Sequence, residues 1–158
     1  MKGATVMKKK LRSRRGVTLT EMLVTVIIIG LMTAGVAAGI SASLNVYRES
    51  TQLSDAQTLS ATLAQAVMDE LRYATNVKDG DAPIYDSMNY GEGATIAPNA
   101  DGRLAVNGIE LVGSGAYNGL KAKITYPFSS DVFTVTITIC DAADNAITSA
   151  SFSVTPLS

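Results

Sequence analysis

The chain has no histidine and no tryptophan, and its 158 residues include a single cysteine, Cys140. Without histidine the commonest general base and the usual Ser/His or Cys/His nucleophile pairs are missing. One cysteine rules out an intramolecular disulfide and the ordinary Cys/His metal sites. These absences point away from an enzyme, and no metal or cofactor is expected. Acid is absent before Glu21, and proline before Pro83. The first absence leaves Lys2, Lys8, Lys9, Lys10, Arg12, Arg14 and Arg15 as a purely basic leader. The second removes the strongest helix breaker from the first half of the chain.

The formal net charge of -1 therefore conceals an asymmetry. From Val17 onward 6 basic residues face 14 acidic ones. Such a balance offers no basic face for phosphates, which argues against direct nucleic-acid binding by the downstream part. At 16.5 kDa there is room for one modest domain and a long extension.

Residues 1–16 read as a cytoplasmic leader peptide, placed by its positive charge beside an apolar span. Met7-Lys8-Lys9-Lys10 is a complete leader opening in itself, so Met1 and Met7 both stand as candidate starts. Residues 22–40 carry no charge, and residues 17–40 carry only Glu21. A helix of about 20 residues crosses a hydrocarbon core of roughly 30 Å, so this is a single-pass anchor with its N-terminus cytoplasmic. Gly30, Gly35 and Gly39 are helix-packing candidates, Gly35 and Gly39 as a small-x-x-x-small pair. Glycine common to membrane helices in general is the competing account of them.

Beyond residue 40 the pattern becomes amphipathic. Leu53, Ala56, Leu63, Val67, Leu71 and Ala74 recur at helical spacing with Leu59 close by, giving a continuation of the helix over residues 41–78. One helix over residues 18–76 would be about 90 Å long. Residues 79–102 hold the loop signals and read as an irregular connection with one short strand near residues 94–97. Tyr85, Tyr90 and Tyr117 fall in loop sequence and are candidates for surface contacts. Asp79, Asp81 and Asp86, like Asp141 and Asp144, lack the spacing of a Ca²⁺ loop and read as turn acids.

Residues 103–158 change to period two. Asn107-Gly108 marks a hairpin, and strands are expected over residues 120–126, 131–140 and 146–155. In the second, Phe133, Val135, Ile137 and Ile139 share one face; in the third, Ala146, Thr148, Ala150, Phe152 and Val154 point inward and Ile147, Ser149, Ser151 and Ser153 outward. Cys140 should be a semi-buried strand end. The expected class is α+β: a long N-terminal helix, hydrophobic then amphipathic, packed on a C-terminal antiparallel β-sheet.

Glu21 is the residue in most need of explanation. A carboxylate at the edge of a hydrocarbon span either has a partner or caps the start of the helix. Arg14-Arg15-Gly16 followed by Val17-Thr18-Leu19-Thr20-Glu21-Met22-Leu23-Val24 resembles the prepilin-type cleavage and methylation signal shared by type IV pilins and pseudopilins. The resemblance implies cleavage after Gly16 and N-methylation of Val17 by a prepilin peptidase/methyltransferase. It also implies residence in membrane lipid before assembly, then self-assembly into a helical surface filament by a membrane platform and an ATPase. Glu21 would pair with the N-terminal amine of a neighbouring subunit. The chain departs from the family in three places: Val17 stands where Phe is usual, Ala38 lies where many members have a helix-breaking proline, and Cys140 has no partner. Two other readings remain open: a single-pass anchored or secreted binding module that does not polymerise, and a secretory signal peptide cut after Ala38, leaving Gly39 first.

Overall fold

The computed structural model describes residues 18–157, so the expected leader and the cleavage site at Gly16 and Val17 lie outside the described residues. Helix α1 (Leu19–Arg72) is followed by nine strands: β1 (Tyr85–Ser87), β2 (Gly91–Ala94), β3 (Ile96–Pro98), β4 (Leu104–Val106), β5 (Ile109–Glu110), β6 (Lys121–Thr125), β7 (Phe128–Ser129), β8 (Val132–Cys140) and β9 (Ala146–Val154). All strand pairing is antiparallel, and the class is α+β as expected. The chain divides between Asn45 and Val46 into two units.

In the first unit α1 begins where Thr18 supplies a cap, its Oγ1 accepting the Glu21 N–H at 3.3 Å. The hydroxyls of Thr25, Thr33 and Ser41 donate to the carbonyls of Glu21, Ile29 and Ala37 four residues back, at 2.7, 2.7 and 3.1 Å. Each thereby finds its partner inside the helix, as a polar side chain in an apolar span must. Every described side chain of this unit is exposed, Leu19 to 84%.

In the second unit one face of α1 is buried: Ala56, Leu59, Ser60, Leu63, Val67, Glu70 and Leu71. The stripe starts at Ala56, whereas Leu53, expected to belong to it, is 43% exposed. The helix stops at Arg72, short of residue 76. Thr75 leaves helical geometry to exchange backbone hydrogen bonds with Asp86 at 3.1 and 2.8 Å, and Asn76 takes a left-handed φ of 49°. The Leu157 N–H then donates to the Arg72 carbonyl at 2.8 Å, satisfying one of the orphan acceptors of the helix end.

The region read as irregular, residues 79–102, holds three short strands. They are three or four residues long and bent by Gly91 and Gly93 at φ 87° and 70°, which leaves no period-two signal to read. Strands β3, β4 and β5 form a three-stranded sheet, with Asn107 and Gly108 at φ 50° and 83° in the β4–β5 turn. Both central residues are left-handed, as a two-residue turn matching strand twist requires.

The main sheet is built on β8. Strands β6 and β7 pair successively along one side of it, separated by Tyr126-Pro127, and β9 pairs along the other. The register runs from Phe133 opposite Val154 to Ile139 opposite Thr148, and then slips so that Cys140 faces Ala146. Ile147 is the extra residue of this β-bulge. The slip corrects the expected alternation at its start: Ala146 is exposed and Ile147 packs partly buried against the core, while Thr148 to Val154 alternate as expected. Cys140 is fully buried rather than half.

Phe133, Val135, Ile137 and Ile139 of β8 are fully buried with the α1 stripe, Leu104, Val106 and Ala122. Phe133 meets Phe128 at 4.6 Å between ring centres and Tyr85 edge-on at 6.5 Å. Two tyrosines expected at the surface belong here: Tyr85 and Tyr117 are buried, and only Tyr90 is part-exposed. The Tyr117 hydroxyl accepts the buried Leu104 N–H at 2.8 Å, and the Tyr126 hydroxyl accepts that of Ile96 at 2.8 Å. These bonds pin β3 and β4 to the core in a chain that has no disulfide.

Candidate functional site

Glu21 is the third residue after its cap, and Thr18-Leu19-Thr20-Glu21 has the spacing of a capping box. A negative side chain in the first turn also complements the positive end of the helix dipole. The carboxylate is solvent-exposed, so in an isolated chain its charge is held only by this local geometry. Around and after it, Met22, Leu23, Val24, Ile27, Ile28, Leu31 and Met32 are each 50% or more exposed. A continuous apolar surface of this kind has no cover among the described residues and suits lipid or other helices.

Gly35 and Gly39 lie one turn apart on one face of α1. Gly30 falls about 140° round the axis from Gly35, so it does not share their stripe. A side chain added at any of the three would meet no atom within 4 Å. No contact within the described chain requires glycine at these positions.

A polar cluster that sequence reasoning missed lies in the second unit. Glu70 is 6% exposed, on the stripe that faces the core, and Asn89 Nδ2 donates to its Oε2 at 3.4 Å. Among the described residues, Glu70 Oε1 and the Tyr85 hydroxyl have no hydrogen-bond partner. Burial first, and the charge of Glu70 second, hold the Tyr85 phenol well above its ordinary pKa. The spacing 56, 60, 63, 67, 70 and 74 carries the signal: Ser60 and Glu70 occupy positions of the apolar stripe.

The acidic turn residues have local partners. Asp86 accepts from Asn76 Nδ2 at 2.7 Å and from the Gly93 N–H at 3.1 Å, and both bonds lower its pKa. Asp141 accepts from the Asn145 side chain and N–H at 3.0 and 2.9 Å, with the same effect. Asp141 closes the β8–β9 turn, as Asp in loops commonly does, whereas Asp86, expected in a turn, lies in β1 and ties that strand to Asn76 and to Gly93 of β2.

Residues 11–37 match the family model of the prokaryotic N-terminal methylation motif. The chain carries the signature of type IV pilins and pseudopilins. The matched segment contains Gly16, Val17, Glu21, Gly30 and Gly35 and ends within the apolar span of α1. The motif points to a structural protein, and with the long apolar helix it accords with membrane anchoring. No curated protein and no solved structure matches the chain.

Proposed function

We propose that the protein is a structural subunit of a type IV pilus or a pilus-like filament. It is made as a membrane-anchored precursor with a cytoplasmic N-terminus, cleaved after Gly16 by a prepilin peptidase and N-methylated at Val17. A membrane platform and an ATPase then move it from lipid into a surface filament. The observation that carries this reading is the coincidence of the methylation motif with a helical stretch, residues 19–45, whose apolar side chains are exposed all round. A surface of that kind is stable in lipid and equally stable among copies of itself.

In this reading Glu21 meets the amine that cleavage creates on Val17 of a neighbouring copy. Each charge is costly alone in an apolar filament core, and the pair removes both costs. Gly35 and Gly39 let helices approach closely. Mass spectrometry of the mature N-terminus is the test. N-methyl-Val17 is expected; an uncut Met1 or Met7 would favour the anchored module that does not polymerise, and Gly39 as first residue would overturn the pilin reading.

A further inference from the structure

The helix stays free of charge for longer than a hydrocarbon core requires. Residues 22–47 hold no charged side chain, and Glu21 and Arg48 bound the run. At 1.5 Å per residue these two lie about 40 Å apart along α1. A bilayer with its headgroup regions measures about 40–45 Å, against about 30 Å for the hydrocarbon alone, so Arg48 falls at the level of the headgroups. The residues there suit that level. Tyr47 is the first aromatic residue of the chain and 69% exposed, and Arg48 is the first basic residue after Arg15. Tyrosine collects at membrane surfaces, and arginine reaches into them with its charged end. Among the described residues Arg48 makes no ion pair.

At the same level the second unit carries a notch of about 340 Å³. Tyr47, Arg48 and Asp55 of α1 line one side, and Asn118, Leu120 and Ala142 the other. The far side is braced, since Asn118 Nδ2 donates to Asp55 Oδ2 at 2.8 Å and Asn118 and Gly119 turn with φ 45° and 81°. Of the residues lining the notch only Arg48 and Asp55 are charged. They are two turns apart and about 20° apart round the axis, so Asp55 stands about 10 Å further from the span.

We infer that this notch seats the headgroup of a zwitterionic phospholipid, an ethanolamine phosphodiester, in the leaflet from which α1 emerges. The inference rests on the membrane anchoring in the proposed function and not on filament assembly. The Arg48 guanidinium offers the phosphate two parallel N–H donors. Asp55, with Oδ2 taken by Asn118, offers Oδ1 to the ammonium. In such a lipid the phosphate lies next to the acyl chains and the ammonium beyond it, which is the order of Arg48 and Asp55 along α1. A headgroup of net negative charge gains nothing from Asp55 and is repelled by it. The notch thus selects the zwitterion, and the acidic balance of the chain beyond Val17 works in the same direction.

Native mass spectrometry tests this on the full chain, reconstituted without assembly partners in equal parts of phosphatidylethanolamine and phosphatidylglycerol and released in mild detergent. The parent should retain one phosphatidylethanolamine in preference to phosphatidylglycerol. Arg48→Gln, which removes the guanidinium, and Asp55→Asn, which keeps an acceptor for Asn118, should each cut that retention about tenfold, the loss expected for one charge-assisted contact. Exchanging the charges with Arg48→Asp and Asp55→Arg keeps the composition, inverts the order and should cut retention as far. Thr125→Ala on β6 should behave as the parent. Equal retention of the two lipids by the parent, or parental retention by the exchanged variant, overturns the seat. So does a dimer that excludes lipid and depends on Arg48, which would give the notch to a second copy. The intact mass in the same spectra reports the N-terminus: a chain beginning at Gly39 overturns the anchoring together with the seat, whereas an anchored chain that keeps neither lipid overturns the seat alone.

Discussion

Two stretches of one helix show how surroundings write a pattern into sequence. From Leu19 to Asn45 the side chains are exposed on every side and apolar on nearly every side, with hydroxyls bonded to their own backbone. From Ala56 to Leu71 a single stripe is buried and the other faces are polar. A helix that serves one protein core needs one apolar face, and its periodicity records where that core lies. A helix surrounded by lipid or by other helices needs apolarity without direction. The first stretch is therefore recognisable by composition and the second by spacing.

The largest effect expected from breaking this contrast is at Glu21, the charged residue of the apolar stretch. Glu21→Ala should abolish filaments recovered by shearing while the chain remains in the membrane fraction. The local cap offers a rival explanation, since Thr18 binds the Glu21 N–H. Thr18→Ala removes that bond at a cost of about 1 kcal/mol to the helix end and should leave assembly intact. Equal loss of filaments in both variants would reduce Glu21 to a capping residue.

Next in size is a cavity in the second stretch. Leu63 is fully buried between helix and sheet, and Leu63→Ala should destabilise the sheet-bearing unit by roughly 3 kcal/mol in chemical unfolding. Leu23→Ala, a residue 58% exposed, should leave that unfolding unchanged. A comparable loss from Leu23→Ala would mean that the two stretches do not have separate roles.

Much of this was legible in the sequence. The span showed in its lack of charge, the stripe in its spacing, the hairpin in Asn107-Gly108, and the strands β6, β8 and β9 in their alternation. What was not legible has physical causes. Strands β1 to β3 are too short for alternation to register, and the helix end is set by a tertiary bridge between Thr75 and Asp86 rather than by any local breaker. The bulge at Ile147 changes faces without a glycine to announce it. Tyr85 and Tyr117 fall among glycines and acids that suggest loop, yet both rings complete the core, and the Tyr117 hydroxyl serves a buried backbone N–H. At the candidate site, Glu70 went unread because only its place in the spacing of the apolar stripe, and not its residue type, marks it as buried.

A smaller effect separates two kinds of buried tyrosine. The Tyr117 hydroxyl is the acceptor for a buried N–H, so Tyr117→Phe strands the Leu104 amide and should cost about 1–3 kcal/mol. Unfolding in denaturant measures it, and a neutral substitution would mean that the amide has another partner.

Tyr85→Phe should be the mildest change at neutral pH, within about 1 kcal/mol of the parent, because the hydroxyl it removes makes no hydrogen bond. Its consequence appears in alkali. Tyr85 has an ordinary pKa of 10.0, raised in the fold chiefly by burial and then by the charge of Glu70. The fold thus favours the neutral phenol, whose contribution is complete below pH 10 and is lost as the pH climbs above it, where the unfolded chain ionises and the folded chain resists. Each such tyrosine steepens the alkaline loss of stability by about 1.4 kcal/mol per pH unit. Tyr117 and Tyr126 are raised by burial in the same direction and remain in the variant. Tyr85→Phe should therefore flatten the decline above pH 10 without removing it, and a decline as steep as the parent's would show that the phenol facing Glu70 ionises as freely in the fold as outside it.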